Sequence, residues 1–297
     1  IVSEIGHEAN VGPWWNLGRE GFVVKMWEAD PDTLTCPLQQ LERLLTDRTK
    51  IVAFPHVSNL LGRIEDIQGA IELAHSAGAR VVIDGVAYAS HRAIDVEAWN
   101  ADWYLYGPYK VYGPHLGVMY GSHEAFAEIR GPNHFFIPDE EIPYKFEPGG
   151  VIHEHGAGLL ALGDYLKLLA GREDDEPCDR ATIVKAYDVM TALEQPLQQR
   201  IISYLKSKPG ITIIGPDHAE VTRVPTISFH HDKVKSVEIA KALCQANIGA
   251  RNGHMYTARL CAKLGYDLED GFARVSLLHY NTQQEIDRLI EVLDGIL

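Results

Sequence analysis

The chain has 297 residues, 46% hydrophobic and 23% charged, which is enough apolar material for a sizeable core and too globular a composition for disorder. A formal net charge of -14 repels phosphate backbones and sets nucleic acid aside as a partner. No apolar run reaches the roughly 18–20 residues of a membrane span, no signal-peptide pattern is visible, and four scattered cysteines lack zinc or redox spacing, so a reduced, cytoplasmic setting is expected. In chain order, short apolar runs predict strands over 1–5, 22–28, 50–55, 80–84, 102–106 and 117–121, with helices over 9–19, 36–46 and 64–77 between the first of them. Short buried strands alternating with helices predict an α/β fold with a mostly parallel sheet. Residues 131–152 are rich in Pro and Gly and predict a long loop, followed by a helix over 154–170 and an acidic turn over 171–177. A long helix over 180–207 leads into strands over 211–215, 223–229 and 273–278 and helices over 233–246, 257–264 and 281–295, the mixture of an α+β unit. A boundary near 172–180 divides a large domain, 1–175, from a small C-terminal domain, 176–297.

In an open parallel sheet, ligands sit beyond the carboxyl ends of the strands. Those ends carry Gly6-His7-Glu8, His56-Val57-Ser58-Asn59, Asp84 and Gly107-Pro108-Tyr109-Lys110. An acid and a lysine on neighbouring strand tips suit pyridoxal 5'-phosphate (PLP): the amine joins the aldehyde, and the acid keeps the pyridine nitrogen protonated so that the ring takes up electrons. Tyr, Pro and Gly around Lys110 are expected to shield its amine partly from water. Taken singly, Asp-Gly after a strand is a common turn and a lone lysine is usually solvated. No GxGxxG or P-loop follows a strand, which argues against a nucleotide-binding Rossmann protein.

Four ordered motifs, His7-Glu8-Ala9-Asn10 with Pro13-Trp14, His56-Val57-Ser58-Asn59, Asp84-Gly85-Val86-Ala87 and Tyr109-Lys110-Val111-Tyr112-Gly113-Pro114, together with Arg274-Val275-Ser276, resemble the class V aminotransferase family of fold-type-I PLP enzymes, in its cysteine desulfurase and selenocysteine lyase branch. The resemblance covers nearly the whole chain. It implies PLP as cofactor, Lys110 as Schiff-base lysine and proton shuttle, Asp84 on the ring nitrogen, and His7 stacked on the ring. It further implies Asn59 near the ring hydroxyl or the substrate carboxylate, Tyr109 near the phosphate, and Arg274 gripping the substrate α-carboxylate. Arg251 and His254 follow as substrate-side candidates, and a homodimer with a shared active site as the assembly.

The chain also departs from the pattern. In Arg251-Asn252-Gly253-His254-Met255-Tyr256, Tyr256 stands where desulfurases carry the persulfide-forming cysteine, and Cys261 reads as a small buried hydrophobe. The resemblance therefore implies the subgroup without that cysteine. A Gln, a Ser and a Thr of the family's cofactor site are matched by Ala87, Gly107 and Gly150, and the helix-capping phosphate turn is expected upstream of Ile1, in an N-terminal part missing here. The function implied is a lyase or transferase on a small amino acid. Alternatives are an aminotransferase, an epimerase or a decarboxylative C–C bond-forming enzyme, and, in another class, an inactive relic or binding module on the same scaffold.

Overall fold

The computed structural model describes residues 1–173 and 175–297; Asp174, within the expected acidic turn, lies outside the described residues. The first sheet has strands β1 (Val2–Ser3), β2 (Met26–Trp27), β3 (Ile51–Pro55), β4 (Arg80–Asp84), β5 (Trp103–Tyr106) and β6 (Val118–Gly121), in spatial order β2-β1-β3-β4-β5-β6. The pairings β1/β2, β1/β3, β3/β4 and β4/β5 are parallel and β5/β6 is antiparallel. This is the mostly parallel sheet that the apolar runs predict. Its central strands read Val52-Ala53-Phe54 and Val81-Val82-Ile83, all buried, because helices cover them.

Helices α1 (Gly12–Asn16), α2 (Leu38–Leu44), α3 (Ile67–Ser76), α4 (His123–Glu128), α5 (His153–Gly158), α6 (Leu160–Ala170), α7 (Arg180–Ser207), α8 (Ser236–Gln245), α9 (Ala258–Lys263) and α10 (Gln283–Asp294) complete the helical set among the described residues, with short 3-10 turns at Glu8–Asn10, Leu17–Glu20, Pro108–Lys110 and Tyr144–Phe146. α7 begins where Asp179 accepts a hydrogen bond from the Thr182 amide, and α10 begins in a full capping box of Thr282 and Glu285. The second sheet, with strands β7 (Ile211–Ile214), β8 (Thr226–His231), β9 (Arg251–Gly253) and β10 (Phe272–Ser276), runs β7-β8-β10-β9 and is antiparallel throughout.

Several expectations are corrected. The helix expected over 9–19 is three short pieces, because Gly12, Pro13 and Gly18 interrupt it. The strand expected over 22–28 shrinks to Met26–Trp27, leaving Phe22 and Val23 exposed. The helix over 154–170 divides at Leu159, just after Gly156 and Gly158. Helix α4 and edge strand β9 were not foreseen. The largest core cluster joins the first sheet to the second unit: Ile5, Phe54 and Ile83 share it with Met255, Leu260 and Phe272. That shared packing brings the 251–257 segment onto the rim of the first sheet.

Candidate active site

The rim at the carboxyl ends of β1, β3, β4 and β5 gathers the residues picked out in the sequence. Asp84 is the last residue of β4, and its carboxylate accepts a hydrogen bond from the Val86 amide at 2.9 Å. Gly85 has to be glycine. A Cβ there would lie 2.0–2.5 Å from the Tyr104 ring and hydroxyl, so only glycine lets the chain turn closely enough to leave Asp84 on the rim. Burial raises the Asp84 carboxyl, with the Val86 amide and the neighbouring His7 and Lys110 groups opposing it in part. Asp84, His7 and Lys110 thus share one electrostatic neighbourhood.

Lys110 ends the 3-10 turn Pro108–Lys110 that follows β5. The residue is exposed, so the shielding expected from Tyr, Pro and Gly does not occur. Its ammonium lies 5.5 Å from the centre of the Tyr109 ring, which is stacked on His115 at 5.2 Å. The turn is fixed from behind by Tyr112, a non-glycine residue at φ 60°, whose hydroxyl donates to the Ser90 carbonyl at 2.7 Å. A Cβ on Gly107 would meet the Tyr109 ring at 2.5 Å, and the exposed ring would have to swing aside to admit it.

His7 follows β1. Its Nδ1 accepts from the Ala9 amide at 3.0 Å, capping the 3-10 turn and leaving the proton of the neutral ring on Nε2. Its ring is stacked on Tyr256 with centroids 4.9 Å apart and planes 23° off parallel. Burial lowers the His7 pKa first, Asp84 opposes this, and Lys110 and Arg274 add to it. The imidazole is therefore held toward its neutral form.

Asn59 ties the two units together. Its side-chain amide donates to the Met255 carbonyl at 2.6 Å and its oxygen accepts from Thr257 at 3.2 Å, while its backbone carbonyl accepts from Arg274 Nη1 at 2.7 Å. Its side chain is thereby committed within the protein. Arg274 sits on β10, directly across from Arg251 on β9. Burial and the neighbouring Arg251 charge both lower the Arg274 pKa, and its Nε is buried without a partner. His254 is half-buried, and its Nδ1 accepts from the Tyr256 amide at 3.1 Å.

The tip of this segment is strained. Met255 (φ 52°) and Tyr256 (φ 61°) are consecutive non-glycine residues in the left-handed region, at a cost of about 1–3 kcal/mol each. Several contacts hold it there: Asn59 on the Met255 carbonyl, the Glu8 amide on the Tyr256 carbonyl at 2.8 Å, and Arg259 clamping the Glu8 carboxylate through two nitrogens at 2.9 and 3.2 Å. The Tyr256 side chain is left 60% exposed against His7.

Residues outside the predicted site support the rim. His56 is buried, stacked on Tyr88 at 3.5 Å and hydrogen-bonded to the Tyr104 hydroxyl at 2.9 Å. Burial drives its pKa down to about 3. It is a neutral wall of an aromatic box behind Asp84, whose carbonyl accepts from the His56 amide. Tyr112, His279 and Tyr165 form a second hydrogen-bonded group behind Lys110. The density of aromatics after each strand was the only signal of either group in the sequence.

The residues present fit the ring of PLP. A carboxylate with a single backbone donor and, on the neighbouring strand tip, an amine with no ion pair among the described residues lie within electrostatic reach of one another and of the His7 imidazole. Comparison with known proteins agrees. A family model for aminotransferase class-V matches residues 1–289. The "Aminotransferase-like protein FGM3" of Gibberella zeae is 36% identical over 304 residues, spanning 100% of this chain and 72% of that protein. The "Nonribosomal peptide synthetase-like enzyme fsqF" of Aspergillus fumigatus is 32% identical over 305 residues, spanning 100% of this chain but 20% of that protein. Among solved structures, the cysteine desulfurase CsdA of Escherichia coli superposes with a TM-score of 0.81 at 27% identity, covering 99% of this chain and 70% of that one.

Proposed function

The chain belongs to the class-V aminotransferase family, a PLP-dependent enzyme family with the fold-type-I architecture, and from that premise we propose that it is a lyase or transferase acting on a small amino acid without a persulfide-forming cysteine. The observation that carries this reading is the shared neighbourhood of Asp84, His7 and Lys110 at the carboxyl ends of β4, β1 and β5 on one rim of the sheet. When bound, PLP supplies an electron-poor ring that stores the electron pair of a bond broken at the substrate Cα.

In this reading the chain's own groups do the rest. Lys110, exposed on its turn, would hold the cofactor and move the proton at Cα. Asp84, backed by the Val86 amide, would keep the pyridine nitrogen protonated. His7, with its proton on Nε2, would stack against the ring and hand on a proton from that atom. Tyr109 would help to hold the phosphate. Arg274, steered by the Asn59 carbonyl, takes the α-carboxylate in its planar fork, and Asn59 acts on the substrate through that arginine. Residues 1–175 form the cofactor-binding domain and 176–297 the domain that brings Arg274 to it.

Tyr256 supports the absence of persulfide chemistry, since a phenol does not accept sulfur. Two of the four thiols add to this: Cys261 is fully buried in α9 with its pKa pushed up by burial, and Cys36 is buried and pushed up to about 12, while half-buried Cys178 and exposed Cys244 lie outside the 251–257 segment that meets the rim. Exposed Phe135, Phe136, Val151, Ile152, Leu160 and Leu168 support a homodimer, because water-facing apolar side chains gathered in 131–168 suit a subunit face. Among the described residues, no helix is long and apolar enough to cross a membrane.

The test is spectroscopic. Protein incubated with PLP should acquire a visible absorbance band that responds to added amino acids, and Lys110→Ala should lack it. Cysteine as substrate should leave no persulfide on the chain. Failure of the wild type to take up PLP would overturn the reading.

A further inference from the structure

Tyr256 is held against His7 by a backbone that costs the protein stability. Met255 at φ 52° and Tyr256 at φ 61° are consecutive non-glycine residues in the left-handed region, and such strain persists only where the surroundings impose it. Hydrogen bonds impose it on both sides of the Tyr256 ring. Asn59 donates to the Met255 carbonyl, the Tyr256 amide to His254 Nδ1, the Thr257 amide to the His254 carbonyl at 2.8 Å, and the Glu8 amide to the Tyr256 carbonyl. Glu8 directly follows His7, so this last bond ties the two stacked residues together through the backbone as well as through their rings. The Tyr256 side chain gains little by ordinary means. It is largely exposed, and among the described residues its hydroxyl makes no hydrogen bond. Its ring meets His7, 4.9 Å away and 23° off parallel, and His254, edge-on at 6.2 Å.

An imidazole has two faces, and among the described residues Tyr256 is the one aromatic ring stacked on His7. The Ala9 amide on Nδ1 pins one edge of the imidazole and the Tyr256 ring backs one face, which together fix its tilt. We propose that Tyr256, at the position matched to the desulfurase cysteine, is a positioning residue for His7: its ring clamps the imidazole from one side and leaves the opposite face to stack on the pyridine ring of the cofactor. The inference rests on the reading of the rim as a PLP site and assigns a role to the residue at the cysteine position. The ring carries this role and the hydroxyl does not, since the hydroxyl has no partner. The clamp also keeps water from one side of His7, in line with the burial that lowers its pKa. The charged groups around His7 are Asp84 at the end of β4, Lys110 in the turn after β5, Arg274 on β10 and the adjacent Glu8, which is paired with Arg259. Removing the Tyr256 ring leaves all of them in the chain.

Histidine titration by NMR on protein without PLP tests the clamp, with His7→Gln assigning the His7 signal. Tyr256→Asn removes the ring, and asparagine accepts a left-handed backbone, so the tip keeps its shape. His7 should titrate at higher pH in Tyr256→Asn than in wild type, because water reaches the uncovered face, and Tyr256→Phe should restore the wild-type titration. PLP itself, followed by its visible absorbance, should bind on the order of tenfold more weakly to Tyr256→Asn, the weight of one aromatic stack, and Tyr256→Phe should recover most of that loss. A His7 titration that is the same with and without the ring, or a change in Tyr256→Phe equal to that in Tyr256→Asn, overturns the proposal. The two measurements separate the two readings. Protein whose His7 responds to the ring but that never takes up PLP keeps the clamp and loses the proposed function; protein that takes up PLP while its His7 ignores the ring does the reverse.

Discussion

Acidification should destabilise this fold through His56 by an amount that follows from its burial. The ring is 3% exposed, wedged between Tyr88 and Tyr104, and has no carboxylate partner. Its pKa falls from 6.5 to about 3 on folding, with burial as the cause. A histidine with a depressed folded pKa contributes stability that is complete above its unfolded pKa and is lost as pH falls from 6.5 toward 3. Each unit is worth about 1.36 kcal/mol, so a change from pH 7.5 to 5 should cost about 2 kcal/mol. Other groups titrate in the same window. Burial raises Glu65 to about 7, which favours the folded state as pH falls, and lowers the Ile1 amine to about 6, which acts against it. Comparison with His56→Asn cancels both, because asparagine stays neutral and these groups are common to the two proteins. Urea unfolding at both pH values should show wild type losing about 2 kcal/mol more than the variant. Equal losses would mean that His56 is accessible or paired in the folded protein, and the aromatic box behind Asp84 would be wrong.

Three further outcomes are expected. Gly62 sits at φ 69°, where a Cβ would lie 2.3 Å from the Thr226 carbonyl, so Gly62→Ala should cost about 3 kcal/mol or more in urea unfolding. Arg259→Ala removes a half-exposed bidentate pair to Glu8; it should cost only about 0.5–1 kcal/mol in stability but raise amide exchange over 254–257, because that pair helps to hold the strained tip. Asp84→Asn keeps the side-chain shape and the Val86 contact but removes the charge; turnover should fall on the order of 10²-fold or more while the protein's melting temperature without PLP stays within a few degrees of wild type.

How legible the fold was depended on how local its causes are. The parallel strands could be read because Val52-Ala53-Phe54 and Val81-Val82-Ile83 are continuous apolar runs, the mark of strands covered on both faces. α7 matched its expected span of 180–207 despite Pro196 inside it, since Asp179 fixes its start and a buried stripe through Met190, Ile201 and Leu205 fixes its face. β2 was overextended because Phe22 and Val23, apolar as they are, lie outside the pairing with β1. Within the site, the rim positions followed from strand ends and spacing. The exposure of Lys110 did not, because neighbouring residue types do not say which way a turn faces. The left-handed pair Met255–Tyr256 was equally hidden: neither residue is glycine, and the contacts that impose the conformation come from Glu8 and Asn59, about 200 residues or more away in sequence.

The central claim is that Lys110 and Asp84 grip one pyridine ring from two strand tips. Borohydride reduction of PLP-treated protein, followed by peptide mapping in the mass spectrometer, tests it most directly. The account predicts the reduced cofactor on Lys110 and on no other lysine, with the yield sharply reduced in Asp84→Ala. Label on a different lysine, or the same yield with and without the Asp84 carboxylate, would contradict it.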